Sequence, residues 1–200
     1  MQASGVVTEV ASNERTAATA ERRRRIVEAA VELAGEGGYD AVQIRDVAAR
    51  AGVALGTLYR QYSSKDQLLI TALAGQADIL RVRLAQRPPQ GPGPADRVAD
   101  VLKRATRALT RSPNLTAAMV TALSSREADA AEAKHEVERI LHTIIAAAID
   151  GDDVADFDGV LRVLGYVWLA VLNAWVGEML DSDQMSHDLA TAAHLLLDGR

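Results

Sequence analysis

The segment Ile44-Arg45-Asp46-Val47-Ala48-Ala49-Arg50-Ala51-Gly52-Val53-Ala54-Leu55-Gly56-Thr57-Leu58-Tyr59-Arg60 carries two short helical patterns on either side of a glycine. A helix-turn-helix needs a small residue where its helices cross, a turn that accepts a left-handed residue, and apolar contacts that fix the crossing angle. Val47, Ala48 and Ala51 supply the first helix face, Gly52 the turn, and Val53 and Leu58 the contacts pointing back into the domain. The spacing predicts one helix from Gln43 to Arg50 and a second from Leu55 to about Tyr62.

Before this motif, Ile26, Ala29, Ala30 and Leu33 recur at helical spacing, and Gly35, Gly37 and Gly38 end that helix. Residues 1–19 are small and polar without a sustained period, and are expected to be a disordered tail. After it, Ser64 and Gln67 form a capping box that opens a helix running to about Arg87. The run Pro88, Pro89, Gly91, Pro92, Gly93, Pro94 breaks the chain, because proline removes amide donors and glycine adds freedom. A helix restarts at Pro94 or Ala95. Ser112 before Pro113 marks another start, and Ser124 with Glu127 a third, reaching about Ile149. Gly151, Asp152 and Asp153 make a loop before an apolar helix from about Asp156 to Leu180 and a last one from about Asp183 to Leu197. The expectation is an all-α chain of about nine helices with no sheet. Residues 20–65 form a three-helix DNA-binding head, and residues 66–200 a helical ligand-binding and dimerisation domain.

Composition agrees with helices: aromatic residues make up 4% of the chain while Ala, Leu, Arg, Glu and Val dominate. The net charge of −5 looks wrong for a DNA binder until it is divided along the chain. Residues 21–65 hold eight basic side chains against six acidic ones, whereas from residue 66 onward there are thirteen against nineteen. A small basic head on an acidic body suits a nucleic-acid partner for the head alone. Without cysteine there are neither disulfides nor thiolate metal sites, and no basic-then-apolar leader opens the sequence, so cytoplasm is the expected compartment. Val160–Leu180 is long and apolar enough to span a bilayer. Arg162, Asn173 and Glu178 interrupt it, and its flanks are acidic where an anchor carries Lys or Arg, so a buried core or interface helix is expected and no membrane partner.

Further words extend the motif: Gly37-Gly38-Tyr39-Asp40-Ala41, Arg45-Asp46-Val47-Ala48, Gly56-Thr57-Leu58-Tyr59 and Lys65-Asp66-Gln67-Leu68-Leu69. Together they resemble the N-terminal domain of the TetR family of transcription regulators over residues 21 to about 75. Gly38-Tyr39, Ala41-Val42-Gln43, Gly56-Thr57-Leu58-Tyr59-Arg60, Trp168-Leu169 and Ala174-Trp175 are similar to actinobacterial TetR-type repressors of cholesterol catabolism genes. The resemblance implies that the helix at Leu55 enters the major groove, with Arg45, Leu55, Gly56, Thr57, Tyr59, Arg60 and Lys65 at the DNA. Their chemistry fits. Arg45 and Arg60 carry forked donors for guanine or phosphate, and the Tyr59 hydroxyl can reach a phosphate, the lesser alternative being a ring packed in the core. Lys65 suits a phosphate clamp, Gly56 lets backbone approach the duplex, and Thr57 offers a methyl and a hydroxyl. Ala54 and Leu55 replace a capping hydroxyl and a polar residue common in relatives, which points to partly apolar base contacts. Arg22–Arg25 could grip phosphates or form a solvated helix face.

The family solution is also a two-fold dimer on a palindromic operator in double-stranded DNA. Val171, Trp175, Leu189, Ala193 and Leu196 are the expected dimer interface in the last two helices. A pocket for a small apolar effector would be walled by Met119, Leu123, Leu141, Ile145, Leu164, Trp168 and Leu172, each of which could be ordinary core. The closer similarity implies a steroid or acyl-CoA catabolite as inducer; a regulator of efflux with another lipophilic inducer fits the same residues. No nucleophile elbow, phosphate loop or dinucleotide fingerprint is present, so an enzyme is not expected. His135, Glu138 and His142 share a helical face, and His187 and His194 repeat the seven-residue step. In an acidic surface these read as solvated stripes, so no metal or cofactor is expected.

Overall fold

The computed structural model describes residues 3–151, 154 and 156–198, with side chains from Thr16 onward; Asp152 and Asp153 of the expected loop lie outside the described residues. Nine α-helices and no strand occur among the described residues: α1 (Ala3–Ala41), α2 (Ile44–Arg50), α3 (Leu55–Tyr59), α4 (Lys65–Gln86), α5 (Pro94–Leu109), α6 (Pro113–Leu123), α7 (Ala131–Ile149), α8 (Phe157–Val176) and α9 (Ser182–Leu197).

The head forms where the second half of α1 packs on α2, α3 and the start of α4. Ile26, Ala29, Ala30 and Leu33 of α1 are buried with Val42, Val47 and Leu58. This is the 3.6-residue stripe read from the sequence. Gly35 does not end α1; the break falls at Gly37 and Gly38, the latter at φ 72, a left-handed conformation that favours glycine. The helix starts at Ala3, so residues 3–19, to which the sequence reading assigns no fold, are helical. They contain no proline and several alanines, a composition that favours helix.

α4 joins head to body. Its N-cap is the expected Ser64, whose hydroxyl accepts from the Gln67 amide at 3.1 Å. The return bond is shifted by one residue, Gln67 Oε1 accepting from the Ser63 amide at 2.8 Å. At about 1.5 Å per residue α4 spans about 33 Å, packing on α1 in the head and on α6 and α7 in the body. The Pro/Gly link that follows is tied to α5: Arg104 donates to the carbonyl of Arg87 at 2.6 Å, and the Gln90 amide to Asp100 at 2.9 Å.

Two starts differ from expectation. Ser112 precedes α6 with Pro113 at its first position, but its side chain makes no capping bond. Ser124 caps nothing downstream; its hydroxyl donates back to Val120 O at 3.2 Å, and a short 3-10 turn at Ala128–Ala130 intervenes before α7. Ser124 has ended one helix and cannot begin the next. At the far end of α7, Arg97 of α5 donates to the carbonyls of Ala148 and Ile149, closing the free end of the helix from across the body.

α9 lays Met185, Leu189 and Ala193, all fully buried, onto α5. α8 packs on α6 and α9 and buries Gly159, Leu164, Val171 and Leu172. α8 is the one described helix long and apolar enough to cross a membrane, yet only 22% of its apolar window is buried in the protomer. The helix expected to serve as core or interface therefore shows an apolar face outward, with Val163, Tyr166 and Leu169 exposed.

Candidate nucleic-acid interface

The turn between α2 and α3 is a Schellman motif, with Gly52 at φ 63 as its left-handed residue. The Gly52 amide donates to Ala49 O at 3.2 Å and the Val53 amide to Ala48 O at 3.0 Å. The carbonyl of Ala51 is taken by Arg25 Nη1 at 3.0 Å, a contact from α1 that fixes the turn against the body of the head. The paired helices are thus held at three points: the buried Val47, Ala48, Ala51 and Leu58, the glycine turn, and the Arg25 bond.

Leu58 points inward and the remaining side chains of α3 point out. Leu55 is 38% exposed and Tyr59 53% exposed, so Tyr59 is not core. Arg60 and Gly56 are exposed, Thr57 is half-buried, and Arg60 Nη2 donates to Thr57 Oγ1 at 3.0 Å. That bond braces a guanidinium at the end of α3. A Cβ on Gly56 would meet nothing within 4 Å, so its lack of a side chain answers no need inside the protomer. Ala54 makes no side-chain cap, as the sequence indicates. Arg45 is exposed on α2 beside this surface.

Lys65, read as a DNA contact, and Arg24 and Arg25, read as either phosphate grips or a solvated helix face, have partners within the protein. Lys65 lies with its ammonium 3.7 Å from the centre of the Tyr39 ring and donates to Tyr39 O at 3.3 Å, so it braces α4 on the head. Arg24 is held by Glu21 and Glu28, and Arg25 by the turn carbonyl, leaving Arg22 and Arg23 of that run. Sequence reasoning missed Tyr39 and Asp66. The Tyr39 hydroxyl donates to Asp66 Oδ1 at 2.5 Å, and Asp66 is 6% exposed. Burial, then the neighbouring carboxylate, pushes the Tyr39 phenol up and keeps it protonated.

The other expected sites spread over the body. Met119, Ile145, Leu164 and Leu172 are buried and Leu123, Leu141 and Trp168 half-buried within one core cluster. The Trp168 indole N–H is buried without an acceptor. Of the expected dimer residues, Leu189 and Ala193 are corrected: both are fully buried on α5 inside the protomer, and Val171 is nearly so. Trp175 and Leu196 stay half-exposed. The histidines do not form a metal cluster among the described residues. His142 packs edge-on against Phe157, and His194 bonds Asp198 at 2.7 Å.

Residues 26–72 match the model of bacterial regulatory proteins of the tetR family, and residues 91–196 a tetracyclin repressor-like C-terminal domain. The chain is 39% identical over 178 residues to the HTH-type transcriptional repressor KstR of Rhodococcus jostii, covering 88% of this chain and 83% of that protein. A solved TetR transcriptional regulator from Rhodococcus sp. RHA1 superposes with a TM-score of 0.82 at 33% identity, covering 90% of this chain and 97% of that one. FadR of Bacillus subtilis, solved in complex with stearoyl-CoA, shares the fold at a TM-score of 0.63 and 20% identity, over 88% and 96% of the two chains. Motif, geometry and likeness over nearly the whole length agree: the chain belongs to the tetR family of bacterial regulatory proteins.

Proposed function

We propose that this TetR-family repressor holds a palindromic operator as a homodimer and lets go when a small apolar ligand enters its helical body. The observation that carries the reading is the division of α3, with Leu58 buried and Leu55, Tyr59 and Arg60 turned outward beside Arg45. Arg45 and Arg60 read guanine or grip phosphate, Tyr59 reaches a phosphate, and Leu55 and the Thr57 methyl meet thymine methyls. Gly56 leaves room for the backbone to approach. Two such helices must stand about 34 to 36 Å apart to meet successive major grooves. The exposed apolar face of α8 supports pairing by the last two helices.

The effector is a steroid or acyl-CoA catabolite, walled by residues among Met119, Leu123, Leu141, Ile145, Leu164, Trp168 and Leu172. The likeness to KstR and to a FadR solved with stearoyl-CoA supports this class. The protein works in the cytoplasm, without catalysis. Mobility shift on the DNA upstream of its own gene tests the reading. The full chain retards that fragment with an affinity that falls steeply with salt, and Arg45→Ala with Arg60→Ala abolishes the shift. Retardation that survives the double substitution unchanged overturns it.

A further inference from the structure

A cleft of about 300 Å³ opens between the C-terminal half of α5 and the start of α9. Lys103, Thr106, Arg107 and Thr110 form its α5 wall, and Ser182, Asp183 and Ser186 its α9 wall. Lys103 and Arg107 stand one helical turn apart and are exposed. Neither has an ion-pair partner among the described residues, whereas Arg104 between them is spent on Asp100 and two carbonyls. Exposed Arg111 follows in the next turn. On a body whose charge is otherwise acidic, this is a local concentration of unspent positive charge.

Thr106 sharpens the point. Thr71, Thr121 and Thr143 each donate their hydroxyl to the carbonyl four residues back. Thr106 is 1% exposed and its hydroxyl has no partner. A buried hydroxyl is normally satisfied, and this one belongs to a residue lining the cleft. The start of α9 is not itself the attraction, because Asp181 already accepts from the Asp183 and Gln184 amides.

The Ser186 hydroxyl is spent on Ser182 O at 2.9 Å. From the two free cations, the Thr110 and Ser182 hydroxyls and the unpartnered Thr106, we propose that this cleft binds the phosphate groups of a small phosphorylated metabolite. Two cations one turn apart, with hydroxyl donors around them, match oxygens spread over more than one phosphate. Lys103 and Arg107 outweigh the single carboxylate of the lining, Asp183, and their net positive charge favours an anion with several charges. The volume suits the diphosphate part of a nucleotide or of an acyl-CoA, and the phosphate chemistry is common to both.

Titration calorimetry of the full chain with inorganic pyrophosphate tests this independently of the apolar-effector reading, since pyrophosphate has no apolar part. Saturable binding is expected, weakened about tenfold or more by K103Q/R107Q. The double variant R81Q/R139Q, which removes the same charge elsewhere on the body, leaves it unchanged. T106V weakens binding without changing charge, and T106S restores it. No saturable binding, or equal weakening in both charge variants, overturns the proposal. Competition by ADP and by coenzyme A then distinguishes the sources: tighter ADP points to a free nucleotide, tighter coenzyme A to the end of an acyl-CoA. Should DNA release by apolar ligands fail while pyrophosphate still binds, the effector reading falls and this site stands.

Discussion

Gly52 and Gly56 stand four residues apart and serve different ends. At φ 63, with a new Cβ 3.5 Å from Arg25 Nη1, Gly52 is required by the backbone of the turn. Gly52→Ala is expected to cost about 1–2 kcal/mol in urea denaturation, the usual expense of a left-handed non-glycine residue. Gly56 has ordinary helical geometry and open space around it. Gly56→Leu therefore keeps or slightly raises stability, because glycine is about 1 kcal/mol poorer than alanine or leucine inside a helix. Its operator affinity, read by fluorescence anisotropy, falls by about tenfold or more as the side chain fills the space meant for the duplex. A Gly56→Leu protein that binds operator normally would place the DNA elsewhere. Together the two substitutions separate a residue required by the backbone from one proposed to meet the duplex.

Among the elements, α4 packs on both head and body, as α1 does through α6. The N-terminus of α4 is latched to the end of α1, past the break at Gly37 and Gly38, by Tyr39–Asp66, with Lys65 over the same ring. Tyr39→Phe leaves the buried Asp66 carboxylate without its phenolic donor and is expected to cost about 1–3 kcal/mol. In a double-mutant cycle with Asp66→Asn the two losses do not add, and additive losses would deny the latch. None of this was legible in the sequence, because Lys65 and Tyr39 are 26 residues apart and meet only when α4 docks. The helix-turn-helix was legible because its packing is local: Gly52, Ala48 and Leu58 declare their roles within one short segment. Leu189 and Ala193 show the opposite limit. Their spacing announces a buried stripe but not whether α5 or a second chain covers it. A second contact between elements places His194 of α9 beside Asp198 and 3.7 Å from Asp96 of α5. The hydrogen bond to Asp198 raises the His194 pKa above 6.5. Its contribution is complete below that value and is lost as pH climbs through the raised one. The denaturation midpoint should thus drift slightly down from about pH 6 to about pH 8, and His194→Gln should flatten that part of the profile.

At the scale of the whole molecule, the unanswered surface is α8. A single protomer leaves Val163, Tyr166 (66% exposed) and Leu169 along one side of a helix whose other side is core. Apolar surface of this extent is normally covered, and a two-fold pairing covers the same patch on both copies at once. The pairing also decides function, because one short α3 reads too few base pairs to hold an operator. Two joined heads gain an effective concentration that multiplies affinity by about 10² or more without any new DNA contact. Tyr166→Asp with Leu169→Asp puts four carboxylates into the seam of a symmetric pair while touching neither the head nor the buried side of α8. The expected product is a folded monomer, with the helical circular dichroism of the parent and half its mass by light scattering. Its operator affinity drops by about a hundredfold. A variant that remains dimeric would move the interface off this face. A monomer that still binds the full operator tightly would show instead that each head acts alone, and coupling through head spacing would then have no physical basis.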